Sequence, residues 1–295
     1  MTIRDAIVQT LAYTHQFQYP LTETELWQRL IGSGEKYTKA EFKAALAKLI
    51  ESKNVVFHKA TKSYALKNGE TFFVIRQQRE KWSQPKWKEV TTFLRWARYI
   101  PWLSAVAVTG SLAMNNAVGK DDVDFMMITQ PRRLWLTRLL VTLIAVLYGK
   151  RRTWHGEEQD SWCFNLWLDE DHLAMPRARQ NLYTAYEVTQ AKFVLDKKNI
   201  ATQFHTINRW VATWLPNAEL RIDEKVKAST TSGNILIDWL ETAAFQFQHW
   251  YMKSHMTREQ VGKGEAFFHP RDTRRLIEER WTQTQNTRSK RKSHV

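Results

Sequence analysis

Cysteine is almost missing from this chain of 295 residues, where Cys163 stands alone. An internal disulfide and a Cys-based zinc site are therefore excluded, and a reducing, cytoplasmic setting is the expectation. Glycine and proline are scarce too, at 10 and 7 residues, well below the roughly 12% of an average chain. With so few turn-formers, many helices joined by short connections are expected. Long hydrophobic runs are also lacking. The greasiest stretch, Leu134–Tyr148, is interrupted by Arg138 and falls short of the ~20 apolar residues that span a bilayer. No membrane insertion is expected, and Met1–Thr14, with Asp5 among alternating apolar and polar residues, does not read as a signal peptide.

Negative charge is in the minority: 30 Asp and Glu face 44 Lys and Arg, for a net charge of +14. Such an excess favours polyanionic partners, whether nucleic acid, nucleotides or an anionic surface. What the chain has in plenty is aromatic area, including 14 Trp, which supplies core volume and candidate stacking platforms.

The first seventy residues read as a small helical unit. Ile3, Ile7 and Leu11 share one helix face. Thr22-x-x-Glu25 and Thr38-x-x-Glu41 are capping boxes, each opening a helix by satisfying its first free amides. Phe42, Ala45, Leu46, Leu49 and Ile50 give the second of these an apolar side, leaving Lys39, Lys43 and Lys48 largely outside it. Val55–Phe57 and Ser63–Leu66 then form a hairpin. In order and spacing this segment, 1–70, resembles a winged helix. The resemblance implies DNA or RNA as partner, with the helix after Thr38 facing a groove and Lys59 and Lys62 on the wing against phosphates. Residues 71–100 read as a linker helix, broken at Pro85, with Val90, Phe93, Leu94 and Ala97 on one stripe.

The chemistry is expected between Ala105 and Leu168. Ala105–Thr109 is a compact apolar strand ending in Gly110-Ser111, and Asp122-Val123-Asp124 follows at the head of a second strand, Phe125–Ile128. Side chains two apart on a strand leave the same face, so Asp122 and Asp124 are paired while Asp121 points away. Two carboxylates forced together repel, and a divalent cation relieves them; Mg²⁺ suits one or two carboxylates plus substrate phosphates. Gly110 permits close approach of a ligand, and a helix starting at Ser111 would aim its free amides at phosphate.

An apolar strand, Gly-Ser, a gap of about ten residues and Asp-x-Asp resembles the signature of the DNA polymerase β-like nucleotidyltransferase superfamily. The resemblance implies that Gly110 and Ser111 hold a nucleoside triphosphate and that Asp122 and Asp124 bind two Mg²⁺ ions, with Mn²⁺ an acceptable substitute. The superfamily supplies a third carboxylate from the neighbouring strand. Here that strand, Ser161–Leu168, carries Asn165 at its centre, and an amide can offer a carbonyl oxygen but cannot take a proton.

The remainder reads as helix. Leu134–Tyr148 is expected as a crossover helix stopped by Gly149, apolar nearly all round because it is packed on a sheet and covered by a second domain. Asn181–Val194 is read as helix, and so is almost all of 200–295. Two stripes stand out there, Ile207/Trp210/Val211/Trp214 and Ile235/Leu236/Trp239/Leu240/Ala243/Phe247/Trp250. Their spacing is that of buried faces, so the Trp residues are assigned to the core rather than to base stacking. Eight cations against three anions in 271–295 leave a basic end, offering non-specific attraction to nucleic acid.

The expected fold is therefore α+β. It comprises a winged helix (1–70), a linker helix (71–100), a nucleotidyltransferase-type mixed sheet with helices (101–198), a helical C-terminal domain (199–285) and a basic disordered tail (286–295). Two functional readings stay open. One is a Mg²⁺-dependent enzyme that moves a nucleotidyl group from an NTP to an acceptor. The other is a non-catalytic nucleotide-sensing or DNA-binding regulator in which Asn165 marks a degenerate site.

Overall fold

The computed structural model describes residues 1–151, 160–223, 234–254, 256, 259–268 and 275–283. The chain is mixed α+β. Helix α1 (Ile3–His15), strand β1 (Leu21–Thr22), helices α2 (Glu23–Gln28) and α3 (Lys39–Glu51), and strands β2 (Val55–His58) and β3 (Ser63–Leu66) open it. Both capping boxes form: the Thr22 and Thr38 hydroxyls accept from the Glu25 and Glu41 amides, and each Glu reaches back to its cap amide. The three strands make an antiparallel sheet in the order β1-β3-β2, closed over Ile7, Leu11, Leu26, Leu46 and Leu49.

The central sheet has six strands in the order β7-β4-β5-β6-β9-β8. Its members are β4 (Leu103–Val108), β5 (Val123–Thr129), β6 (Trp162–Asp169), β7 (Lys192–Asp196), β8 (Gln260–Val261) and β9 (Glu265–Phe267). Only β5 and β6 run parallel, and helix α6 (Leu134–Leu147) lies between them in sequence. Alternation along β5 sends Val123, Phe125 and Met127 into a core with Val90, Phe93 and Val141. It sends Met126 and Ile128 to the opposite core, with Ala185, Ile200 and Phe204 of helices α7 (Leu182–Gln190) and α8 (Ile200–Ile207). Asp124 shares that second face.

Several expectations are corrected. Helix α4 (Thr71–Ala97) passes through Pro85 unbroken; Lys81 and Pro85 are both exposed, so the carbonyl that loses its amide partner meets water. It is no linker, because Val90, Phe93 and Ala97 are core residues of the sheet. The helix expected to reach Val194 stops at Gln190, and Lys192–Asp196 is β7, paired antiparallel with β4. The C-terminal part is not wholly helical: β9 lies between β6 and β8 in the sheet, with Ala266 and Phe267 buried. Finally, the apolar stripe of helix α9 (Ile235–Lys253) faces outward, and its buried residues are Glu241, Ala244, Gln248 and Met252. Helix α8 likewise ends at Ile207, and in the 3₁₀ turn after it (Arg209–Thr213) Val211 is buried, while Trp214, just beyond, is exposed. The tail 286–295 lies outside the described residues, as do Arg271 and Arg274.

The N-terminal unit is fastened to the rest through charge. Arg76 of α4 donates from Nη1 to the Pro20 carbonyl (2.5 Å) and to Glu25 Oε2 (2.8 Å), while Tyr13 of α1 stacks on Tyr186 of α7 at 4.4 Å. Burial alone would raise the Glu25 carboxyl; the hydrogen bond and charge of Arg76, with Arg29 and Tyr19, outweigh it and bring it down to about 2. Breaking such a pair strands a buried carboxylate, so Arg76→Met should cost about 3–5 kcal/mol in urea unfolding at neutral pH. A depressed carboxyl stabilises above its unfolded pKa, so the deficit should shrink as pH falls from 4.5 toward 2. A deficit that stays constant over that range would assign the loss to packing alone.

Candidate functional site

The site is built where β4 runs into its loop. Thr109 donates its amide to the Asp124 carbonyl at 3.0 Å, tying the loop to β5. Gly110 follows with φ +62°, and a Cβ there would lie 2.6 Å from Asp124 Oδ2. Only glycine meets both demands, a left-handed backbone and room for the carboxylate. Helix α5 (Gly110–Ala113) is a single turn.

Ser111, expected to contact phosphate, donates its hydroxyl to Asp121 Oδ2 (2.9 Å), which also accepts the Val118 amide (2.8 Å). Asp121 thus closes the loop between α5 and β5. Beneath it the buried ammonium of Lys86 donates to the Asp121 carbonyl and pairs with Asp160 at 2.6 Å. Asp122 Oδ1 accepts from the Ser161 amide (3.0 Å) and hydroxyl (2.8 Å), joining the head of β5 to that of β6. Asp124 Oδ1 accepts from Asn165 Nδ2, and Asn165 Oδ1 in turn lies 2.7 Å from the Cys163 sulfur that donates to it. The structure therefore gathers Gly110, Asp124 and Asn165, anchors Asp122 beside them on Ser161, and commits Ser111 to the loop.

One carboxylate escaped the sequence reading. Glu187, the single charged residue of α7, is partly buried on the Asp124 side of the sheet. Burial, and after it the charge of Asp124, push its carboxyl up to about 7. Its signal was a lone acid in an otherwise uncharged amphipathic helix. Nothing local revealed that helix packing would bring it to β5.

Two cations border the same loop. Arg29 Nη1 is buried without a hydrogen-bond partner, while Nη2 lies 3.1 Å from the sulfur of Met114 at the end of α5. Lys192 stands opposite Val108, two residues before Gly110, with Nζ 5.2 Å from the Trp87 ring centre. Its pKa is lowered by burial and then by the charge of Arg29, against a smaller opposite effect of Glu25. A groove of about 860 Å³ runs along edge strand β7, lined in part by Trp87, Asn115, Lys192, His205 and Arg221. It adjoins the loop through Asn115 and Lys192 and lies beside the aspartates, which do not line it.

The oxygens of Asp122, Asp124, Asn165 and Glu187 are hard ligands of the kind Mg²⁺ takes. Among the described residues, no three His, Cys, Asp or Glu side chains form a ready metal-holding group. No protein-family model matches the chain, and no curated protein or solved structure matches it.

A carboxyl raised on folding stabilises at low pH, and that contribution is lost as pH climbs from 4.5 through about 7. Glu187→Gln should therefore remove part of the decline in chemical-denaturation midpoint between pH 5 and pH 8. Identical pH profiles for the two proteins would show that folding does not raise the Glu187 carboxyl.

Proposed function

We propose that the chain is a Mg²⁺-dependent nucleotidyltransferase that moves an NMP group from an NTP to an acceptor hydroxyl. The observation that carries this reading is the packing of Asp124 against Gly110, with the Asn165 amide on the same carboxylate, Glu187 close enough to feel its charge, and Arg29 and Lys192 bordering the loop. Asp122 and Asp124 would hold the metal. Bound there, the ion supplies Lewis-acid neutralisation of phosphate charge.

The chain's own groups account for the rest. Gly110 lets the Asp124 carboxylate sit against the loop, and the unpartnered Nη1 of Arg29 and the ammonium of Lys192 would take up the charge of the phosphates. The acceptor oxygen attacks the α-phosphorus in line, the bond to the bridging oxygen breaks, and pyrophosphate leaves with that electron pair. Glu187, with a carboxyl near neutrality, is suited to receive the acceptor's proton. In this reading it supplies the basic group that Asn165 cannot.

The regulator reading keeps one observation in its favour: the Asn165 amide occupies an oxygen of Asp124. The N-terminal unit fits it as a winged-helix reader of DNA or RNA, since Lys39 and Lys43 on α3 and Lys59 and Lys62 near the hairpin are exposed.

Incubation with each α-labelled NTP, Mg²⁺ and pooled RNA, protein and small-molecule acceptors separates the two. Transfer by the wild type that drops about 100-fold or more in Asp124→Asn supports the enzyme. Label transfer surviving in both Asp122→Asn and Asp124→Asn would reject this site. Mg-NTP binding without any transfer would favour the regulator.

A further inference from the structure

Helix α6 rests on the sheet through Leu134, Val141 and Ala145, but its outer side is uncovered: Leu143 and Leu147 are 55% and 74% exposed. Beside it, α9 is built the wrong way round for a helix bathed in water. Its inward contacts are polar. Glu241 accepts the Trp135 and Leu136 amides at 2.7 and 2.9 Å, and Gln248 donates to the Trp135 carbonyl (2.9 Å) while accepting from Arg138 (2.6 Å). Its outward stripe is apolar, with Leu236, Phe247 and Trp250 each more than half exposed. Large apolar side chains left open on two helices that pack together mark an interaction site.

The charges around this face decide what covers it. Helix α6 holds no acid, and both acids of α9 are engaged: Glu241 by the α6 amides, and Asp238 by Arg133 (2.6 Å) and Arg132 (3.2 Å). The rim is cationic, with Arg95 and Arg98 near the end of α4, Arg151 beyond α6 and Lys253 at the end of α9, all exposed. Aromatic rings with a polar edge stand among them: Trp96 donates to the Tyr148 hydroxyl at 2.5 Å, bridging α4 to the end of α6, and Trp239 is exposed on α9. Such rings favour headgroup depth. A second copy would bring like rims together on chains of net charge +14, whereas anionic headgroups complement them. With 14 residues, α6 is about 21 Å long and cannot cross a hydrocarbon core of ~30 Å; among the described residues no helix is long and apolar enough to do so.

We propose that the open face of α6 and α9 is a docking surface for an anionic lipid bilayer, with both helices lying in the plane of the interface. The proposal is independent of what the aspartate site does.

Flotation of the full chain with phosphatidylcholine vesicles, alone or with about 30% phosphatidylserine, tests it. The wild type should float with the anionic vesicles and far less with the neutral ones. The doubly substituted Phe247→Gln/Trp250→Gln protein, checked by circular dichroism, should lose about tenfold or more of that binding; Leu143→Gln/Leu147→Gln should do the same from the other helix. The proposal is overturned by a wild type that ignores anionic vesicles, or by folded variants of both pairs that float as well as wild type, which leaves charge alone as the cause. It is also overturned if light scattering shows two chains for the wild type and one for the variants, since the face then joins copies of the chain.

Discussion

The candidate site depends on one close approach, that of the Asp124 carboxylate to the backbone of Gly110. A side chain at Gly110 would meet Oδ2 at 2.6 Å, so the missing Cβ lets the end of β4 and the start of β5 share space that the carboxylate then fills. Once there, Asp124 shapes its surroundings. It takes the Asn165 amide, and its charge adds to burial in raising the Glu187 carboxyl, while Arg29 and Lys192 border the same loop. Mixed charge, partly withdrawn from water, is held beside a glycine loop by packing from both sides of the sheet.

The parts legible in the sequence are those whose cause is local. Thr22 and Thr38 announce their helices because a hydroxyl three residues before a Glu satisfies free amides with no help from elsewhere. The Gly-Ser and Asp-x-Asp strands were readable because alternation and a left-handed glycine are properties of a few neighbouring residues. Gly149, at φ +62°, stops α6 for a similar reason.

What stayed hidden is decided by partners far along the chain. Strands β7 and β9 have five and three residues, too few for a period, and they exist because β4 and β6 offer free edges. Helix α9 has one apolar stripe at helical spacing, and periodicity alone assigns that stripe to the core, whereas it faces outward. Glu241 and Gln248 settled the choice by finding backbone partners on α6. Glu187 was invisible for the same reason, since its importance lies in Asp124, 63 positions away by number (187 − 124), which only the packing of α7 brings near. The sheet thus separates two kinds of surface: one face carries the charged constellation, and the helices on the other leave apolar area open.

Whether Asp124 belongs to a cation site can be measured without reference to any acceptor. Titrating Mn²⁺ into the protein with a non-hydrolysable NTP, and following free Mn²⁺ by electron paramagnetic resonance, reads occupancy directly. The account predicts that wild-type protein removes at least one equivalent of free ion, that Asp124→Asn removes none, and that Glu187→Gln binds more weakly than wild type. Equal depletion by wild type and Asp124→Asn, or no depletion by either, would contradict it.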